Sequence, residues 1–135
     1  MYQVMTRFVA LAALLSASCS TLPDSRWTYV ADGNDASTFY VDVSSITAKS
    51  DHIEAWELAD YLDDGSDWKS IKTLVYYKCG SLAAAKQQSV FLSGSMGGGR
   101  ETKVVHHGES YSTATPGTAS EHLNKFVCSK ARGGA

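Results

Sequence analysis

The run from Trp68 to Cys79 is the longest and best patterned strand-like segment in the chain, rich in β-branched and aromatic residues. On the alternation of a strand Ile71, Thr73, Val75, Tyr77 and Cys79 share one side, while Ser70, Lys72, Leu74, Tyr76 and Lys78 share the other. The first side ends in a cysteine. Another cysteine, Cys128, closes the clearest helix in the chain. Thr118-Ala119-Ser120-Glu121 has the form of a capping box, Pro116-Gly117 stands before it as a breaker, and Ala119, Leu123, Phe126 and Val127 make one helical stripe. A bond between Cys79 and Cys128 would lay this helix over the side carrying Ile71, Val75 and Tyr77, and so make that side the main core. The expected class is α+β, an antiparallel sheet with a C-terminal helix packed on one face and one disulfide.

The other segments rich in aromatic and β-branched residues read as further strands. Arg26 to Ala31 is the first, ended by Asp32-Gly33-Asn34-Asp35. Thr38 to Val43 is the second, with Phe39, Val41 and Val43 on one face and Tyr40 and Asp42 on the other. His52 to Leu58 forms a third around Trp56, before the polar stretch Asp60 to Asp67. Leu82 to Leu92 is ambiguous, since its first half suits a helix by propensity and its second half a strand; Lys86 to Ser93 is taken as strand. Gly94 to Gly99 reads as a flexible turn, followed by strands at Glu101 to His106 and, more briefly, within Glu109 to Thr113.

The N-terminus carries a different message. Arg7 is followed by the apolar run Phe8 to Leu15, and then by Ser16-Ala17-Ser18-Cys19, the layout of a bacterial export signal. The run is short of the about 20 residues that a transmembrane helix needs. Residues 1–18 are therefore expected to be a cleaved signal peptide, 19–25 a tether, 26–130 the folded domain and 131–135 a flexible tail. Small residues before the cut suit ordinary signal peptidase, and a cysteine just after it suits lipoprotein processing at the same bond. Ser16 stands where the usual lipobox has Leu, with Leu15 one place early. Cys19 is the expected lipid-attachment residue, which places the protein at the outer membrane, on its outer or periplasmic side. Cys79 and Cys128 then remain as a pair, and in an oxidising compartment the expected product is a disulfide. A metal or redox site is the weaker reading, for neither cysteine has a Cys-x-x-Cys or His partner at zinc spacing.

The 135 residues, 44% of them hydrophobic and 19% charged, are an ordinary globular balance, and a formal net charge of −2 gives no support for nucleic-acid binding.

Within this frame the residues resemble the surface-adhesin protein E family of bacterial lipoproteins. The resemblance runs from about Trp27 to Cys128. It rests on Trp27 opening the domain, Phe39-Tyr40-Val41-Asp42 followed by Ser45-Ile46, and Trp56 in the next strand. It continues with Ser70 to Cys79, and with Pro116-Gly117-Thr118 leading through Glu121 and Leu123 to Val127-Cys128. It implies a six-stranded antiparallel sheet with a helix packed on it, and a non-enzymatic surface protein. The partners it implies are host vitronectin, laminin or plasminogen.

Motifs that could carry chemistry have simpler readings. His106 and His107, as neighbours on a strand, point to opposite faces and would not share a metal. Asp60, Asp63, Asp64 and Asp67 lack the order of a calcium loop and read as a solvated turn. Ser95-Met96-Gly97-Gly98-Gly99-Arg100 lacks the Lys-Ser/Thr pair and strand-to-helix setting of a phosphate loop, and reads as a hairpin turn. No serine has a nucleophile context, so no catalytic residue, metal or cofactor is expected. For protein binding the candidate set is Tyr76, Lys78, Lys86, Arg100 and Lys103, with ordinary solubilising charge as the alternative account. An exposed sheet edge is a second candidate, able to pair with a partner or with another copy of the chain as a homodimer. Two functions follow: an adhesin at the cell surface, or a periplasm-facing lipoprotein that binds or inhibits another bacterial protein.

Overall fold

The computed structural model describes residues 26–62 and 65–133. The signal segment, Cys19, the tether, and Asp63 and Asp64 lie outside those residues. Eight strands form one sheet: β1 (Trp27–Asp32), β2 (Ser37–Asp42), β3 (Thr47–Ala48), β4 (Ile53–Tyr61), β5 (Ser70–Lys78), β6 (Ala83–Leu92), β7 (Glu101–His106) and β8 (Ser112–Thr113). The main path runs β1-β2-β4-β5-β6-β7, with the two-residue strands β3 on β4 and β8 on β6, and every pairing is antiparallel. Among the described residues one α-helix, α1 (Ala119–Gly133), lies across one face.

The alternation of β5 decides which face that is. Val75 and Tyr77, only 2% and 1% exposed, meet Val41 and Ala55 from the neighbouring strands and Leu123 and Val127 from α1. Burying an aliphatic side chain of this size stabilises by about 2 kcal/mol, so Leu123 and Val127 hold the helix down by hydrophobic contact. Cys79 continues the same side of the chain and is bonded to Cys128, with the two Cα atoms 5.7 Å apart. Asn124, fully buried one turn before Cys128, donates from Nδ2 to the Ala83 carbonyl at 3.1 Å. The helix starts as the capping box requires, with Thr118 Oγ1 accepting from the Glu121 N–H. The returning bond from Glu121 goes to the Gly117 N–H, at 2.6 Å, because the Thr118 N–H is taken by the Thr115 carbonyl.

Several boundaries differ from those read in the sequence. Val43 leaves the sheet: the Asp42 carboxylate accepts from the Ser44 N–H at 3.0 Å and winds Val43–Ser45 into a 3-10 turn, which leaves Val43 exposed. Strand β4 continues past Leu58 through Asp60 and Tyr61, because these residues stay in register with β5 on one side and β2 on the other. Strand β6 begins at Ala83, inside the segment that suits a helix by propensity; its ladder to Tyr76, Tyr77 and Lys78 outweighs that preference. Residues 131–133 continue the helix.

The turn after β6 is pinned. The Ser70 hydroxyl, fully buried, donates to the Gly94 carbonyl at 2.6 Å and accepts from the Gly97 N–H at 3.0 Å. The Asp60 carboxylate accepts from the Met96 N–H at 2.7 Å. These bonds fold Ser95–Gly97 back over the sheet face opposite α1, above Leu58 and Trp27. Gly97, at φ +76°, is required there, since a Cβ would come within 3.1 Å of Trp27 Nε1.

Candidate protein-contact face and polar cleft

With α1 on one side and the Ser95–Gly97 turn over one end of the other, part of the second face stays open. Register brings its side chains together. Tyr40 of β2 and Lys72 of β5 flank Leu58 of β4, itself fully buried beneath the turn, and Trp56, Leu74, Gln88 and His106 form the next row. Lys72 holds its ammonium 5.9 Å from the Trp56 ring. At the β1 edge Tyr29, 55% exposed, meets Tyr40 edge to face at 6.1 Å. At the other end of the strands the His52 ring stacks on Tyr76 at 4.1 Å, and Lys78 sits 4.5 Å above the Tyr111 ring. The face is thus a band of aromatic rings with cations laid on them. Such rings lose little conformational entropy on binding and are common at interface hot spots.

His52 is held from both sides, with Nδ1 2.7 Å from Asp51 and Nε2 3.2 Å from Glu54. Burial pulls the pKa of the imidazole down, but the hydrogen bonds to Asp51 and Glu54 outweigh it, so the net shift is upward. Tyr111 brings its hydroxyl into this region buried and without a hydrogen-bond partner among the described residues.

The five candidate binding residues do not form one patch. Tyr76 and Lys78 lie together on the open face, beside His52 and Tyr111. Lys86 stands opposite Val75 and so on the helix face. Lys103 is on that same face, its ammonium 5.5 Å from the Phe91 ring. Arg100 is in the exposed connection between β6 and β7, where its N–H donates to Ser93 Oγ. The two histidines also separate: His106 points to the open face, and His107 places Nε2 2.9 Å from Ser89 Oγ. Among the described residues there is no group of three His, Cys, Asp or Glu placed to hold a metal.

The helix face contains a cleft. Its floor is formed by β4, β5 and β6 beyond the start of α1, and its wall by residues 107–118; it encloses about 510 Å³. The wall is tied down at both ends, by the His107 N–H on the Gln87 carbonyl at 2.8 Å and by the Ala114 N–H on the Leu82 carbonyl at 2.9 Å. Glu57 lies in the floor, half-buried, and accepts a short hydrogen bond from the Tyr77 hydroxyl. Burial raises the Glu57 pKa, while the Tyr77 bond and the nearby Lys86 charge pull it back. The Tyr77 hydroxyl in turn is pushed well above its usual range, by burial first and by the Glu57 charge second. It therefore remains a donor at any ordinary pH. Sequence reasoning passed over Glu57, although one signal was present: in Ala55-Trp56-Glu57-Leu58-Ala59 the charged residue has the same parity as the two alanines that face the core.

A single antiparallel sheet, helix-covered on one face and aromatic on the other, with a disulfide joining sheet to helix, defines the class of domain. The model of one family matches residues 27–129, and the chain belongs to that family, Surface-adhesin protein E, a family of bacterial surface proteins. Solved structures agree on the fold. Haemophilus influenzae protein E matches with a TM-score of 0.63 at 14% identity, over 83% of this chain and 89% of that one. Its second crystal form gives 0.63 at 12% identity, over 78% and 89% respectively. Protein E from non-typeable Haemophilus influenzae gives 0.55 at 12% identity, over 80% and 81%. No curated protein matches the sequence.

Proposed function

We propose that this protein is a lipid-anchored adhesin that binds an extracellular-matrix or serum protein through its open sheet face. The observation that carries this reading is the band of Tyr40, Trp56, Lys72, Tyr76 and Lys78, aromatic and cationic and not covered by α1 or by the pinned turn. Membership in an adhesin family points the same way, to binding rather than catalysis. Cys19 would carry the lipid, and the free side of β7, whose residues are almost all exposed, would be the place for a second copy to pair.

The test is binding of the purified protein to immobilised vitronectin, laminin and plasminogen. Micromolar or tighter binding to one of them is expected, with a loss of at least tenfold in Trp56→Ala and in the pair Tyr76→Ala and Lys78→Glu. No binding to any of the three refutes the adhesin reading. Globomycin sensitivity of processing tests the lipid at Cys19. Surface proteolysis of intact cells tests orientation, since a periplasm-facing protein would be spared and would then be a binder or inhibitor of another bacterial protein.

A further inference from the structure

The cleft on the helix face carries two groups of opposite charge that do not satisfy each other. Glu57 uses one carboxylate oxygen on the Tyr77 hydroxyl. Its other oxygen has no hydrogen-bond partner among the described residues and is not sealed off, so it opens to the cleft. Lys86 lines the same space and makes no ion pair or hydrogen bond to any described residue, although its charge is felt at Glu57. Register explains why they stay apart. Glu57 on β4 stands opposite Thr73, and Lys86 on β6 opposite Val75, so the two are separated by two strand spacings and offset by two residues. Across the sheet this sets their Cα atoms about 12 Å apart. Thr73 and Ser89, hydrogen-bonded to each other at 3.0 Å, continue the row of Glu57 across β5 and β6.

A carboxylate oxygen left without a partner in a partly desolvated space is costly, and a ligand's ammonium removes that cost, while the exposed Lys86 ammonium can take a carboxylate at the ligand's other end. We propose that the cleft binds a short zwitterionic peptide, with the ligand's ammonium on Glu57 and its carboxylate on Lys86. An extended dipeptide is about 7 Å long and, with a hydrogen bond of about 3 Å at each end, spans about 13 Å, which suits anchors on strand positions about 12 Å apart. Phe39, Val75 and Leu123 supply an apolar wall for one side chain, and Ser110, Ser112 and Thr115 put hydroxyls at the rim. The volume of about 510 Å³ accommodates two to three residues. This site is on the opposite side of the sheet from the proposed adhesive face, so either can fail without the other.

Isothermal titration calorimetry on the purified protein, with alanyl-leucine as probe, tests the proposal. Saturable binding is expected, weakened at least tenfold when the probe's amine is acetylated and again when its carboxylate is amidated. Lys86→Gln, a change at an exposed residue, should abolish the distinction between free and amidated probe while leaving that for the amine. Glu57→Gln should do the converse. Absence of saturable binding by the unmodified protein, or equal binding of the free and blocked probes, overturns the assignment. Both of those outcomes are read on the native chain, so they hold even if Glu57→Gln does not fold.

Discussion

Replacing both Cys79 and Cys128 by alanine should be the most destabilising change that leaves the hydrophobic core in place. The two residues are 49 apart in sequence, and opening a loop of that size returns to the unfolded chain entropy worth about 4 kcal/mol in the chain-entropy model. Part of the remaining fold does not depend on the bond, since Leu123 and Val127 still bury their side chains against Val41, Val75 and Tyr77. For a domain of about 100 residues, each 1 kcal/mol lowers Tm by about 4–8 °C, so a loss of roughly 15–30 °C is expected. The assay is thermal unfolding followed by circular dichroism, with urea titration for ΔG, on the native protein, the reduced protein and the double variant. Reduction and double substitution should give the same loss within about 1 kcal/mol, because both remove one constraint on the unfolded state. A loss below about 1 kcal/mol, with helix content retained, would refute the reasoning and show that packing alone seats the helix.

Asn124→Ala removes the donor to the Ala83 carbonyl in a site that water does not reach, and should cost about 1–3 kcal/mol in urea unfolding; an unchanged midpoint would show that this carbonyl finds another donor. Ser70→Ala strips two bonds from the Ser95–Gly97 turn, and amide hydrogen exchange should speed up at Gly97 and Met96 while β5 stays protected; unaltered exchange there would mean that Asp60 pins the turn by itself. His52 has a folded-state pKa raised by Asp51 and Glu54, so its pairing stabilises fully below the unfolded value of about 6.5 and is lost as pH rises through the folded value. His52→Gln should therefore be more destabilising at pH 5.5 than at pH 9, and equal losses at the two pH values would count against the ion pairs.

What could be read from the chain depended on how far each signal was local. The β5 alternation placed Val75, Tyr77 and Cys79 on the core side, and Thr118 with Glu121 marked the start of α1, because both patterns are written in neighbouring residues. Ala83 to Ala85 misled because the alanines favour a helix intrinsically, while the partner that makes them strand lies across a turn in β5. The turn at Ser95–Gly97 looked flexible from its glycines. Its anchors, Ser70 and Asp60, are 27 and 36 residues away from the groups they bind, and no local pattern announces them. The candidate binding residues share a basic or aromatic type along one stretch of chain, and strand parity sends Tyr76 and Lys78 to one face, and Lys86 and Lys103 to the other. The aromatic band and the Glu57 cleft both arise from register across three strands, which is fixed only when the sheet forms.

The position of α1 after every strand it covers also sets an order of events. A chain delivered amino end first would present β1 to β7 before any of the residues that cover Val41, Val75 and Tyr77. Until Leu123 and Val127 arrive, that face is a wet apolar sheet, open to pairing with other chains. The interval between the emergence of β6 and the closing of α1 is therefore the stage at which this fold is most open to aggregation.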